Sequence, residues 1–200
     1  MYSVGFDLDM TLVDSSEAIV QTTLKTLKNF SAEVDHDEIY RSVGLPIKES
    51  FKKWVGDEYL NAYQQYVSEY QSSGFRLSTP LPGAKVLLEN LIASGVRVVV
   101  ITAKNPKSAE IQLSHLEIPF TLLVGDVFGE GKTQAMTNTG CVEYVGDHIE
   151  DYLASSRAGI PFIGVDSNPT QNLSVLSAGK FPVMSSLDEF LQFSTISTAI

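Results

Sequence analysis

Residues 4–15 read Val4-Gly5-Phe6-Asp7-Leu8-Asp9-Met10-Thr11-Leu12-Val13-Asp14-Ser15, or VGFDLDMTLVDS. A short apolar run, Ser3 to Leu8, is predicted to be a buried strand. Three carboxylates and two hydroxyls follow at once. Asp, Ser and Thr at a strand end often do no more than form turns and cap helices, and that is the first reading for Asp14 and Ser15. Asp7 and Asp9, two residues apart, ask for more. Whether they have partners depends on what the other strand ends carry.

From Ser15 or Ser16 a capped helix is predicted to about Lys28, with Ile19, Val20, Leu24 and Leu27 on its apolar side. Further helices are predicted over Asp35 to Val43, Lys48 to Val55 and Asp57 to Gln71, and no strand is expected between residues 16 and 75. Tyr59, Leu60, Tyr63, Tyr66, Val67 and Tyr70 recur at helical spacing, read as packing between helices. Arg41 and Lys48 are the basic residues of this stretch considered for a cleft and for a second anionic group on a substrate. The segment STPLPGA, residues 78–84, then marks a boundary, with two prolines in three residues.

Beyond it strands and helices alternate. Helices are predicted over Ala84 to Ser94, Pro106 to Leu116, Thr133 to Thr139, Ile149 to Ala158, Pro169 to Ala178 and Leu187 to Phe193. Strands are predicted over Val96 to Ile101, Phe120 to Val124, Val142 to Val145 and Phe162 to Val165. The run VRVVVI is β-branched and suits a strand covered on both faces. This is the rhythm of an open, largely parallel α/β sheet with an all-helical insertion after its first strand.

Sites in such sheets gather beyond the C-terminal ends of the strands. Those ends offer Asp7 and Asp9, then Thr102, Lys104 and Asn105, then Lys132, then Asp147, Glu150 and Asp151. They can converge only if their strands are neighbours. Asp7, Asp147 and Asp151 can give oxygen ligands to a hard cation such as Mg²⁺. One aspartate can attack phosphorus, and another two residues on can protonate the leaving oxygen and later activate water. Thr102 and Lys132 can meet the phosphoryl oxygens. The plain alternatives are a helix cap for Asp147 and solvated surface lysines at 104 and 132. Asp126 reads as a turn former or an outer site residue, and His148 is left out of the catalytic set. GDVFGEGKT is no nucleotide-binding P-loop, because five residues separate Gly125 from Gly131 where the motif has four.

The chain has 200 residues and a formal net charge of −10, which disfavours non-specific binding of nucleic acid. The lone Cys141 allows no intrachain disulfide and no cysteine-rich zinc site. No apolar run is long enough to span a membrane, and no basic leader opens the sequence, so a cytoplasmic protein is expected.

The motifs resemble those of the haloacid dehalogenase-like superfamily, its phosphatase branch in particular. DLDMTLVDS resembles the family's DxDxT motif, Thr102 after VVVI its second motif, Lys132 its third, and GDHIED a form of its fourth, GDxxxD. In their order they span residues 7 to 151. Thr133 follows the lysine where many relatives have proline. The resemblance implies a Rossmann-like core, residues 1–15 and 80–200, with a helical cap at 16–79 that closes over it and selects the substrate. SVGLPIKESF resembles caps of phosphoglycolate phosphatase-like members.

It also implies roles. Asp7 would be nucleophile and magnesium ligand. Asp9 would be general acid and base, with its backbone carbonyl on the metal. Thr102 and Lys132 would hold the phosphoryl group, Asp147 would bind magnesium, and Asp151 would support or ligate it. The expected activity is Mg²⁺-dependent hydrolysis of a small phosphomonoester, with 2-phosphoglycolate the named candidate, by a monomer or homodimer. Asp9 speaks against the family's dehalogenases and phosphonatases, which lack an aspartate there. A phosphomutase resembling β-phosphoglucomutase and a non-catalytic binding or regulatory protein on the same fold are the alternatives.

Overall fold

The computed structural model describes residues 2–168 and 170–196. The first strand, β1 (Ser3–Phe6), is followed by a tight turn and a two-residue strand, β2 (Val13–Asp14). In the turn the N–H groups of Thr11, Leu12 and Val13 all reach the carbonyl of Leu8, and Met10 takes φ +61°. Such a left-handed residue without glycine costs free energy and persists only where its surroundings fix it. Here Met10 N–H donates to Val13 O, and Ser167 Oγ donates to Met10 O.

The insertion is helical, as its pattern requires. It comprises α1 (Ser16–Lys28), α2 (His36–Tyr40), α3 (Ile47–Val55) and α4 (Tyr59–Ser72). The second helix is shorter than its prediction, because its end turns through Ser42 and Val43 into Gly44 at φ +88°. Phe51, Ile39, Tyr66 and Tyr70 form the insertion's own core with Leu27 and Val20. Leu60, counted in the same stripe, is instead 46% exposed. The chain leaves through β3 (Thr79–Pro80), which pairs antiparallel with β2. This small ribbon ties both ends of the insertion together; two residues per strand are too few to carry an alternation signal.

The remainder alternates as expected: α5 (Ala84–Ala93), β4 (Arg97–Ile101), α6 (Pro106–His115), β5 (Leu122–Val124), α7 (Glu130–Thr139), β6 (Cys141–Gly146), α8 (Ile149–Ala158), β7 (Phe162–Val165), α9 (Leu173–Ser177), β8 (Val183–Met184) and α10 (Phe190–Phe193). The helix predicted from Pro169 begins at a residue outside those described, and its described part is only α9. The helix predicted over Leu187 to Phe193 opens as a 3-10 turn, Leu187–Glu189, before α10. The short β8 was not foreseen.

Among the described residues, six strands form one parallel sheet in the order β5-β4-β1-β6-β7-β8. Side chains alternate across it. Val98 and Val100 join Phe6, Leu88 and Phe190 on one face. Val99 and Ile101 join Tyr144, Met136 and Phe162 on the other. Each fully buried side chain of this size contributes about 1.5–3 kcal/mol relative to exposure. The consequence for function is the strand order: β1 lies between β4 and β6. Three strand ends bearing the candidate groups are therefore adjacent.

Candidate functional site

Asp7 and Asp9 stand just beyond β1, and both are buried. Asp147 follows β6, and Asp151 lies in the first turn of α8. Ligand oxygens of Asp7, Asp147 and Asp151 all fall within 4.8 Å of one another. Glycine at 146 permits this crowding, because a Cβ there would sit 2.6 Å from Asp151 Oδ2. Asp147 is not the helix cap. His148 holds that place, accepting from Glu150 N–H through Nδ1 at 3.1 Å, while Asp151 Oδ2 accepts from His148 N–H at 3.3 Å. Asp147 is held instead by Thr11 Oγ1, donating to Oδ1 at 2.8 Å, and by Asn168 Nδ2, donating to Oδ2 at 2.8 Å.

Lys132 is no solvated surface lysine. It lies in the first turn of α7, and its Nζ donates to Asp7 Oδ1 at 2.7 Å and Asp151 Oδ1 at 2.6 Å. Burial pulls its pKa down, but Asp151 and Asp7 outweigh that and hold the ammonium well above its ordinary range. Three buried carboxylates thus face one cation. Burial, with the repulsion of Asp151, pushes Asp147 up to about 7 against its bonds from Asn168 and Thr11. Burial likewise raises Asp7, with Lys132 opposing and Asp151 and Asp147 adding to the rise. Clustered hard oxygens carrying surplus negative charge match the donor set of Mg²⁺.

Lys104 overturns its reading as a solvated residue. Its side chain is 6% exposed, and Nζ donates to Asp9 Oδ1 at 2.6 Å and to the Tyr70 hydroxyl at 2.9 Å. Ser15, expected as a cap, makes no side-chain cap bond; its hydroxyl donates to the same Asp9 oxygen at 2.5 Å. Asp14 keeps a capping role, accepting from Ser16 N–H at 3.0 Å. Thr102 is buried at the end of β4, and its Oγ1 accepts from Lys104 N–H at 3.1 Å.

Asp7, Asp9, Thr102 and Lys104 lie on the wall of a cavity of about 460 Å³ between the sheet and the insertion. Gly44, Lys48, Tyr63, Tyr66 and Tyr70 wall it from the insertion, and Asp126 from the loop after β5. Arg41 is exposed and does not line it. Gly44 stands near the acids: a Cβ there would sit 3.9 Å from Asp147 Oδ2 and 3.4 Å from Asn168 Nδ2. The contribution of Asn168 had no spacing signal. Thr11 was visible as the threonine of DxDxT, without a role of its own.

The structure therefore brings together Asp7, Asp147, Asp151 and Lys132 in one cluster. Asp9 and Thr102 lie beside the same cavity as Asp7. No helix among the described residues is long and apolar enough to cross a membrane.

Known proteins share this arrangement of chain. Residues 4–165 match the family model described as haloacid dehalogenase-like hydrolase. The tyrosine-protein kinase PtkA of Mycobacterium tuberculosis is 28% identical over 177 residues, 81% of this chain and 61% of that protein. The chain thus spans less than two thirds of that relative. Phosphoglycolate phosphatase of Agrobacterium fabrum is 29% identical over 182 residues, 80% of this chain and 78% of its own length. Among solved structures, a predicted phosphatase from Clostridium acetobutylicum superposes with a TM-score of 0.80 at 26% identity, covering 94% of this chain and 95% of that one.

Proposed function

The chain belongs to the haloacid dehalogenase-like hydrolase family, and from that premise we propose that it is a magnesium-dependent phosphatase of small phosphomonoesters, working through an aspartyl-phosphate on Asp7. The observation that carries this reading is the buried cluster of Asp7, Asp147, Asp151 and Lys132, of which Asp7, together with Asp9, reaches the cavity wall.

Asp7, Asp147 and Asp151, with the backbone carbonyl of Asp9, would hold the metal. When bound, magnesium supplies positive charge against the crowded carboxylates and polarises a phosphoryl oxygen. A carboxylate oxygen of Asp7 attacks phosphorus, and the bond from phosphorus to the ester oxygen breaks. Asp9 gives that oxygen its proton. Asp9 then takes a proton from water, whose oxygen attacks phosphorus and breaks the bond to Asp7, releasing inorganic phosphate. Thr102 and Lys132 hold the phosphoryl group throughout. Residues 16–79 act as a cap over the core of 1–15 and 80–200, excluding bulk water from the reaction.

The substrate is a small phosphorylated metabolite, and the protein works in the cytoplasm as a monomer or homodimer. The name of the Agrobacterium relative puts 2-phosphoglycolate first among esters to try. The deciding experiment is phosphate release from a panel of phosphomonoesters with and without Mg²⁺. Release that needs the metal and vanishes in Asp7→Asn supports the reading. Metal-independent release, or full release by Asp7→Asn, overturns it.

A further inference from the structure

Asp147 is gripped from both sides of its strand. In the sheet β6 runs between β1 and β7, so the loops that leave those two strands flank the residue that follows β6. From the turn after β1, Thr11 Oγ1 donates to Asp147 Oδ1 at 2.8 Å. From the loop after β7, Asn168 Nδ2 donates to Asp147 Oδ2 at 2.8 Å. All three side chains are buried. The two loops are also tied to each other, because Ser167 Oγ donates to Met10 O.

The amide of Asn168 is itself fixed. Its Oδ1 accepts from Thr170 N–H at 2.9 Å and from Thr170 Oγ1 at 2.7 Å, which leaves Nδ2 as the atom that faces Asp147. Gly44 of the insertion leaves little room beside it, since a Cβ there would lie 3.4 Å from Asn168 Nδ2. Both oxygens of Asp147 are therefore anchored by neutral donors that are anchored in turn.

Neutral donors of this kind can stay in place when a cation arrives. A carboxylate bonded at both oxygens turns to share both with one ion only by giving up one of its bonds. The two common hard cations differ in what they ask of it. Mg²⁺ is small, demands near-ideal octahedral geometry and is served by few carboxylates; Ca²⁺ takes more oxygens, tolerates irregular geometry and readily accepts both oxygens of one carboxylate. Partners behind a metal ligand set its orientation and tune the affinity of the site. Resting on the magnesium reading above, we propose that Asn168 and Thr11 are positioning residues that keep Asp147 a single-oxygen ligand and so make the site select Mg²⁺ over Ca²⁺.

Calorimetric titration of the metal-free protein with Mg²⁺ and with Ca²⁺ tests this without turnover. The wild type should bind Mg²⁺ the more tightly. Asn168→Leu keeps much of the side chain's bulk but gives Asp147 Oδ2 no donor, and its Mg²⁺ affinity should fall by about ten-fold or more. Its Ca²⁺ affinity should change by about two-fold at most, because Ca²⁺ tolerates a turned carboxylate. Thr11→Val, close in shape, removes the donor to Oδ1 and should shift the ratio of affinities the same way; it decides the matter if Asn168→Leu folds poorly. Asp166→Ala is the control for the loop. The Asp166 side chain accepts from Leu173 N–H at 3.0 Å and Ser174 Oγ at 2.8 Å and makes no bond to Asp147 or Thr11. Its loss should lower stability in urea melts and leave the ratio of Mg²⁺ to Ca²⁺ affinity unchanged.

An unchanged ratio in Asn168→Leu and Thr11→Val overturns the inference and leaves a magnesium phosphatase in place. So does an equal shift in Asp166→Ala, which would put the effect in the loop and not in the amide. A wild type that binds Ca²⁺ the more tightly overturns it as well. If the wild type prefers Mg²⁺ and the two variants lose that preference, but no ester releases phosphate, the catalytic reading fails and the inference stands. A wild type that binds neither ion sinks the magnesium reading and this inference together.

Discussion

Lys104 Nζ lies 2.6 Å from Asp9 Oδ1, and the same ammonium donates to the Tyr70 hydroxyl at 2.9 Å. One lysine thereby joins the loop after β4, the turn after β1 and α4 of the insertion. Both ionic partners are nearly closed to water, with side chains 6% and 12% exposed. Removing one member of a buried pair leaves the other uncompensated, at about 3–5 kcal/mol. Lys104→Met should therefore destabilise the fold in urea melts and lower kcat by about ten- to hundred-fold, because Asp9 loses the group that orients it. Tyr70→Phe removes only the hydroxyl and should cost much less. In a double-mutant cycle the Tyr70→Phe effect should disappear once Lys104 is methionine. Additive effects would separate Tyr70 from the Asp9 pair.

Asp7→Asn should lower turnover by about a thousand-fold or more, since an amide is a poor nucleophile. Rapid quenching of the wild type with radiolabelled ester should trap phosphoryl on the protein, and the variant should trap none. The stability effect should run the other way. The substitution removes one negative charge for which burial, with the repulsion of Asp151 and Asp147, outweighs the attraction of Lys132, and Lys132 keeps Asp151 as its partner. Without metal, Asp7→Asn should melt no lower than the wild type, which separates lost chemistry from lost folding.

Magnesium should change how stability depends on pH. Asp147 is raised in the folded chain to about 7 from an ordinary carboxylate value of 3.8. The folded state therefore binds the proton more tightly than the unfolded chain. The stabilisation from this group is complete below the unfolded value and is lost as pH climbs toward 7. Metal binding needs the deprotonated carboxylate. Thermal melts of the metal-free protein should fall between pH 5 and pH 8, beyond the trend of an Asp147→Asn control, and added Mg²⁺ should raise the melting temperature more at pH 8 than at pH 5. An equal rise at both would mean that the buried acids do not hold the ion.

Much of this was open to reading from sequence because the signals are local. VRVVVI is covered on both faces, and its β-branched run says so. DxDxT and GDxxxD have fixed spacings, and β1 proves to lie beside both β4 and β6, so their acids meet. Legibility ended where meaning depended on distant partners. Lys104 looks like any loop lysine until Asp9, 95 positions earlier, is placed against it. Ser15 sits at a helix start yet turns to Asp9 instead. Asn168 meets Asp147 from the loop after β7, a contact that no spacing announces. The β2–β3 ribbon escaped because its two short strands are separated by the whole insertion.

Asp9 can be tested in two chemical steps at once. Its Oδ1 is held by Ser15 and Lys104, which fixes the carboxyl at the cavity wall beside Asp7. If it protonates the leaving oxygen, its value depends on how badly that oxygen needs the proton. An alkoxide needs it greatly and a nitrophenolate little. In Asp9→Asn, phosphorylation of Asp7 by an alkyl phosphate should slow by about a hundred-fold or more, and by nitrophenyl phosphate much less. Hydrolysis of the aspartyl-phosphate needs a base for the attacking water whatever ester supplied the phosphoryl group. That second step should slow equally for both. Single-turnover experiments with the nitrophenyl ester should therefore show the phosphorylated protein forming at a near-normal rate and persisting. Equal slowing of phosphorylation with both esters would mean that Asp9 serves to shape the turn or the metal site. Decay at the wild-type rate would remove it from the role of base.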